Sequence, residues 1–512
     1  MGFRASQEGL EIVDKARKQK GWTKTQTPIW WQTAYASRAT LRRFWERKRP
    51  IKPEYFIAIC NAVGVNWEEI VDKNSLLYHQ THQMSRQDLG DAPEAYDFYG
   101  RKEELSLLEQ WIVKENCRLV ALCGIGGIGK TYLAAELVNN IRNQVDYLFW
   151  RSLRSSPPLE DILATMLRFL SPEWEADAAQ GLSQNISQLM GCLRNHRCLI
   201  VLDDFDAVLQ NGDRTVSYLP GYEGYGELLK RWTETSTKSC LLLLSREKPR
   251  EIAFKERKNS PVRSYKLTGL QLSEAEEILK DKELLRDGNA WEDLIRIYRG
   301  HPLALQIVST IIHESFNGSV TTFLEEKTII LGDISILLSQ QFKRLSSLEK
   351  EIMYWLALQQ QPISILQLQL YVKSQITSSV LLEVLTSLGW RSLIEKTAED
   401  NEVMFTLQPM VMKFTISEFV NQICSEISQG QIKLLKSHAL VTEYHLSEQK
   451  TEFPYRPILP MIKNKLLGLL TDKNTAIERL RTLQSTIREN QDKGYSENNI
   501  LNLLAQFNES SQ

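Results

Sequence analysis

Residues Gly124-Ile125-Gly126-Gly127-Ile128-Gly129-Lys130-Thr131 follow the pattern G-x-x-x-x-G-K-[ST] and carry the clearest chemistry in the chain. Glycines let successive backbone N–H groups turn inward around a phosphate, and the N-terminus of a following helix adds favourable partial charge. In that arrangement Gly124, Gly126, Gly127, Ile128 and Gly129 surround the phosphate with main chain. Lys130 reaches the outer phosphate oxygens, and the Thr131 hydroxyl ligates Mg2+. A second group, Cys198-Leu199-Ile200-Val201-Leu202-Asp203-Asp204, is an apolar run ending in two carboxylates. Asp203 is placed to hold the metal through water, and Asp204 to orient or deprotonate an attacking water. A third run, Cys240–Leu244, ends in Ser245-Arg246. An arginine at the tip of a neighbouring strand can reach a terminal phosphate; the competing expectation is a surface arginine paired with Glu247 or another carboxylate. The catalytic candidates are therefore Lys130, Asp203, Asp204 and Arg246, with Thr131 and Asp203 as the metal ligands.

These residues need a scaffold, and the flanking pattern supplies one. The apolar run Arg118–Cys123 leads into the glycine loop, and Leu133, Leu137 and Ile141 follow at helical spacing. With Tyr147–Leu153, Cys198–Leu202 and Cys240–Ser245, strand-like runs alternate with helical stretches, which predicts a parallel sheet with helices on both faces. After about Pro261 the strands give way to helices. Ser273 with Glu276, and Ser346 with Glu349, have capping-box spacing. Between Trp390 and Leu407 two extended runs flank a polar turn at Glu399–Asn401, the outline of a winged helix, and the chain beyond Val411 reads as helical and increasingly polar.

A chain of 512 residues is too long for one core, so several domains are expected. A net charge of −1 argues against a nucleic-acid coat over the whole surface. No secretory pattern and no apolar run of roughly 20 residues is visible, which points to the cytoplasm and away from a membrane. Met1-Gly2-Phe3-Arg4-Ala5-Ser6 fits the loose myristoylation pattern, but one acyl chain anchors only marginally. The seven cysteines lack C-x-x-C spacing and read as reduced thiols without a zinc site.

Residues 1–73 form a Trp-rich block with fourteen Lys/Arg against eight Asp/Glu. Arg38, Arg42, Arg43, Arg47, Lys48, Arg49 and Lys52 gather around Leu41, Phe44 and Trp45, ahead of an apolar helix, a Gly64 turn and a short helix at Trp67. The outline resembles the helix-turn-helix domain of Cro/repressor-type regulators. One reading has the helix Arg38–Arg47 contacting DNA. The other is a solvated basic face on a small protein-interaction domain, with Phe44, Trp45, Tyr55 and Phe56 as its core.

The motifs together resemble the NB-ARC family of STAND-class NTPases, the switches of plant resistance proteins and apoptosome scaffolds. Phe98-Tyr99-Gly100-Arg101 is similar to the family's opening motif, which implies that Tyr99 and Arg101 contact adenine. Gly124–Thr131 and Leu199–Asp204 correspond to its Walker A and B elements, and Arg246 to its sensor arginine. Leu267-Thr268-Gly269-Leu270, then Gly300-His301-Pro302-Leu303-Ala304-Leu305, resemble its helical subdomain, whose proline, here Pro302, lies against the base. The family's winged helix ends in Met-His-Asp, whose His contacts the ADP β-phosphate. Here the matching run Phe405–Met410 has Gln408 for the His and Pro409 for the Asp. A Gln amide can donate to phosphate, though never as a cation, which implies a weaker or differently built latch. Pro409 equally suits the first turn of the next helix.

The resulting fold class is multidomain α/β plus α: a P-loop parallel sheet, a helical subdomain and a winged helix, behind a small all-α N-terminal domain. The expected divisions are 1–73, a linker 74–95, a nucleotide-binding domain 96–262, a helical subdomain 263–332, a winged helix 333–421 and a helical segment 422–512. The resemblance implies an ATP/ADP switch with Mg2+ that is closed with ADP and self-associates with ATP, and hydrolyses slowly in stress or defence signalling. An ATP-modulated transcription regulator reading DNA through residues 1–73 is the alternative, and a fast-turnover ATPase a third. STAND proteins usually carry a sensor array after the winged helix. Residues 422–512 are few for one, so a separate sensor partner or a shortened reading frame is expected.

Overall fold

The computed structural model describes residues 3–25, 27–33, 36, 38–47, 51, 53–72, 86–94, 98–174, 181–257, 259–326, 332–372, 376–399, 402–441, 458–470, 472–489 and 494–508. Two compact units emerge, Met1–Arg86 with Arg142–Asp146, and Gln87–Ile141 with Tyr147–Gln512.

The first unit is helical: α1 (Gln7–Gln19), α2 (Pro28–Thr33), α3 (Arg38–Glu46), α4 (Pro53–Val63) and α5 (Trp67–Ile70). Ser6 caps α1, its hydroxyl accepting from the Gly9 amide at 2.8 Å. Trp30, Leu41, Phe44, Phe56 and Ile59 are buried together in its core. Trp45, expected in that core, is only half-buried, with the Lys24 ammonium 4.9 Å from its ring centroid. Only part of the basic cluster lies among the described residues. The Arg47 guanidinium turns inward, donating to the Ala5 carbonyl at 2.9 Å and to Gln7 at 2.6 Å. Arg42 stays exposed beside Glu46. Met1, Gly2, Lys48, Arg49 and Lys52 lie outside the described residues, as does the Arg38 side chain.

The second unit is built on a six-stranded sheet: β1 (Arg86–Asp88), β2 (Leu119–Cys123), β3 (Tyr147–Ser152), β4 (Cys198–Asp203), β5 (Cys240–Ser245) and β6 (Val262–Lys266), in the order β1-β3-β4-β5-β2-β6. Strands β2 to β6 pair in parallel. Every residue of β2, β4 and β5 is buried, as expected of parallel strands covered on both faces by helices. Those helices include α6 (Lys102–Glu109), α7 (Lys130–Ile141), α8 (Leu159–Leu170), α9 (Leu182–Asn195), α10 (Gly224–Glu234) and α11 (Arg250–Lys255). Two strands escaped the sequence reading. In β6 only Val262 is buried, because its polar residues sit at a sheet edge; the sheet thus runs to Lys266, past the expected end at 262. Strand β1 falls inside the expected linker, of which residues 74–85 and 95 are outside the described part.

Four helices follow, α12 (Leu272–Asp281), α13 (Ala290–Tyr298), α14 (Pro302–Ser315) and α15 (Val320–Glu325). The cap of α12 lies two residues before the expected Ser273. The Gln271 amide donates to Glu274, whose other carboxylate oxygen accepts from the Arg101 amide at 2.7 Å. That second bond selects Glu274 over Glu276. Next come α16 (Gly332–Lys343), α17 (Ser347–Gln359), β7 (Ile363–Ser364), α18 (Ile365–Tyr371), α19 (Ser378–Trp390), β8 (Ile394–Glu399) and β9 (Glu402–Leu407). The expected capping box holds α17, with the Ser346 amide donating to Glu349 at 2.7 Å. Strands β8 and β9 form an antiparallel hairpin with β7 alongside β9; Asp400 and Asn401 of the expected turn lie outside the described residues.

The C-terminal helices are α20 (Pro409–Gln429), α21 (Lys433–Ser437), α22 (Ile458–Leu470), α23 (Lys473–Glu489) and α24 (Ser496–Asn508). The buried Asn499 amide on α24 donates to the Leu435 and His438 carbonyls, tying α24 to α21. Among the described residues no helix is long and apolar enough to cross a membrane.

Candidate functional site

Parallel pairing puts the C-terminal ends of β2, β5 and β4 side by side, the edge at which parallel α/β sheets bind ligands. A cavity of about 500 Å3 opens there, within the roughly 300–1,000 Å3 of small-molecule sites. Of the predicted residues, Tyr99, Arg101, Gly126, Gly127, Ile128, Gly129, Lys130, Thr131, Asp203, Asp204, Arg246 and Pro302 line it; Gly124 and Gln408 do not.

The glycine loop is shaped for close approach. Gly127 and Gly129 have φ of +79° and +100°, a region that side chains disfavour. A Cβ on Gly127 would also sit 2.7 Å from Leu303 and 2.9 Å from His301. Gly124 supports the loop from below: its amide donates to Ser245 and its carbonyl accepts from Lys130 at 2.9 Å. The Lys130 ammonium folds onto that carbonyl and the one of Ile125. Burial pushes its pKa down, against the pull of Asp206. An ammonium held by carbonyls alone gains from a polyphosphate, so the loop fits that ligand.

Asp203 ends β4 nearly buried, and burial together with the Asp204 charge pushes its carboxyl up to about 6. The Thr131 side chain pulls that carboxyl the other way, and both residues line the cavity, so the two metal candidates lie together. Carboxylate and hydroxyl oxygens suit a hard cation such as Mg2+. Asp204, at φ 52°, turns aside to accept from Ser152 at 3.1 Å and from Arg154 at 3.2 Å.

Arg246 meets a carboxylate other than Glu247, in line with part of the competing expectation. Its amide donates to Asp206 at 2.9 Å, and its Nε lies 3.8 Å from the other Asp206 oxygen. Glu247 is fully buried between Arg344 at 2.6 Å and Arg391 at 2.7 Å. Asp206, which the sequence reading passed over, thus controls the arginine at the strand tip. A third acid so soon after Asp203-Asp204 was the available signal.

The remaining predicted residues are placed less simply. The Tyr99 hydroxyl donates to Asp281 at 2.6 Å. The Arg101 guanidinium meets the Thr268 and Ile128 carbonyls and Glu104. Pro302 begins α14 behind His301, whose ring the sequence reading also passed over. Gln408 lines a separate cavity of about 180 Å3 with Ile128, Arg299, His301, Glu395 and Met410. Gln408 and the glycine-loop residue Ile128 thus share the smaller cavity. Gln408 precedes Pro409 in an extended conformation that starts α20, so its position is set by the helix boundary.

Residues 101–214 match the NB-ARC domain. The chain thus carries an NB-ARC domain. The matched span includes the glycine loop and Asp203–Asp206, while Tyr99, Arg246, Pro302 and Gln408 lie outside it. An uncharacterized WD repeat-containing protein of Nostoc sp. is 36% identical over 98% of this chain and 45% of its own length. A probable disease resistance protein of Arabidopsis thaliana, RF45, is 26% identical over 43% of this chain and 22% of its own. The chain thus spans less than half the length of these curated relatives. A STAND protein with a tetratricopeptide repeat sensor from Pyrococcus horikoshii is 17% identical, with 83% and 66% of the two chains covered and a TM-score of 0.34.

Proposed function

We propose that this NB-ARC protein is an adenine-nucleotide switch that uses Mg2+. Lys130 and the loop amides hold the phosphates, Thr131 and Asp203 hold the cation, and Tyr99 and Pro302 flank the base. A divalent cation there offsets phosphate charge. Asp204 orients a water once it leaves Ser152 and Arg154, and that prior engagement favours slow hydrolysis. Segments 96–262, 263–332 and 333–421 act as nucleotide-binding, helical and winged-helix parts, closed with ADP and opened with ATP for self-association.

One observation carries the switch reading. The Asp206 side chain holds Arg246, while its backbone carbonyl accepts from Arg344, just beyond α16, at 2.8 Å. A single residue therefore joins an arginine that lines the phosphate site to the C-terminal half. Named relatives in disease resistance support a role in stress or defence signalling, with a repeat-bearing segment or separate protein as sensor. The test is the nucleotide released from heat-denatured purified protein, with calorimetric titration of ADP and Mg2+. Adenylate release and uptake are expected, and Lys130→Ala should abolish uptake. Nucleotide-free folded protein that takes up none, or normal uptake by the variant, would refute the reading.

A further inference from the structure

His301 lies behind the glycine loop, 4% exposed, and is not among the residues that line the larger cavity. Both of its ring nitrogens are engaged. Nδ1 accepts from the Ala304 amide at 3.2 Å, capping α14, and Nε2 lies 3.0 Å from the Gly126 carbonyl. A nitrogen that accepts from an amide carries no proton, so the proton is on Nε2, which donates to Gly126. The cap of α14 thereby fixes the tautomer that grips the loop.

The consequence follows from peptide geometry. In a planar trans peptide the carbonyl of one residue and the N–H of the next point in opposite directions. With the Gly126 carbonyl held back on His301, the Gly127 N–H must face the other way, where Gly126 and Gly127 line the cavity. Tight packing of Leu303 and His301 against Gly127 leaves the loop little room to turn over. We propose that His301 is a positioning residue for phosphate binding, holding the Gly126–Gly127 peptide so that its amide faces the anion. The inference rests on the nucleotide-binding reading above.

Two replacements divide the two bonds. Asparagine places an oxygen where Nδ1 stands and is a strong N-cap, but it does not reach Gly126. Glutamine places its amide nitrogen where Nε2 stands and keeps the loop bond while weakening the cap. Full-length wild type, His301→Asn and His301→Gln are titrated with ADP in excess Mg2+, and their ligand-free melting temperatures are compared. His301→Asn should bind about fivefold more weakly, the equivalent of one hydrogen bond, with near-native melting. His301→Gln should melt lower yet bind within about twofold of wild type. Native affinity in His301→Asn, or equal weakening in both variants, would overturn the proposal. Should either variant fail to fold, 15N shifts of the wild-type ring decide: a bare Nδ1 with a protonated Nε2 supports it, the opposite tautomer refutes it. A wild type that takes up no ADP would instead overturn the nucleotide reading itself.

Discussion

Arg246 cannot give its charge fully to Asp206 and to a terminal phosphate at once. Held as it is, with the Asp206 oxygens at 2.9 Å from its amide and 3.8 Å from Nε, it must be drawn away before it reports a γ-phosphate. Asp206→Asn keeps an acceptor for the amide but removes the competing charge. ATP affinity should rise about three- to fivefold relative to ADP, the equivalent of roughly 1 kcal/mol for a partly screened pair. Arg246→Ala should do the reverse, weakening ATP and sparing ADP. Paired titrations measure both, and equal changes for the two nucleotides would exclude Arg246 as the discriminator. That Lys130, Thr131 and Asp203 line one cavity was legible in sequence because each sits in a loop or at a strand end with a recognisable local pattern. Asp206 and His301 were not, since their partners lie 40 and 175 residues away and only the folded topology brings them together.

Elements were legible where burial imposed a pattern. Strands β2, β4 and β5 are apolar throughout because both faces are covered, whereas β6 at the edge alternates with polar residues and reads as loop. The helical C-terminal half holds a feature that pattern alone conceals, a buried histidine at the end of α21. His438 stacks on Trp355 with centroids 4.9 Å apart, and its Nε2 lies 3.3 Å from the Glu351 carbonyl of α17. Burial pushes its pKa down to about 4 from the usual 6.5. Between those values the unfolded chain binds a proton that the folded chain refuses, so stability falls as pH drops from about 6.5 to 4. Above 6.5 the residue contributes no slope. A neutral His438→Gln variant should be less stable at pH 7 but lose less on acidification. Denaturant midpoints across this range provide the check, and parallel curves for the two proteins would show that His438 does not titrate there.

At the scale of the whole second unit, the link between the phosphate edge and the C-terminal half is a buried charge network. Glu247, one residue beyond Arg246, bridges Arg344 and Arg391; Arg391 also meets Glu349 at 3.1 Å, and Glu247, Arg391 and Glu349 are all fully buried. Around it the Arg391 carbonyl accepts from Gln341 and the Trp390 carbonyl from the Lys248 amide, so the strand tip and helices α16, α17 and α19 are pinned together. Such a network adds little to stability when intact, since desolvation offsets attraction. Removing one partner, however, strands a buried charge and costs about 3–5 kcal/mol. A nucleotide that reverses a 1:99 population must supply about 5.5 kcal/mol of differential affinity. Loss of Glu247 would therefore do most of that work without ligand. Glu247→Ala should open the C-terminal half in the ADP state. Hydrogen exchange should speed up in α16 and the β8–β9 hairpin, and β2 and β4 should keep their protection. Because Arg344 is a direct partner of Glu247, the double variant with Arg344→Ala should be less affected than the two single changes added together. Uniform loss of protection across the sheet would mean that the network serves only folding; unchanged exchange everywhere would mean that the closed form is held by other contacts.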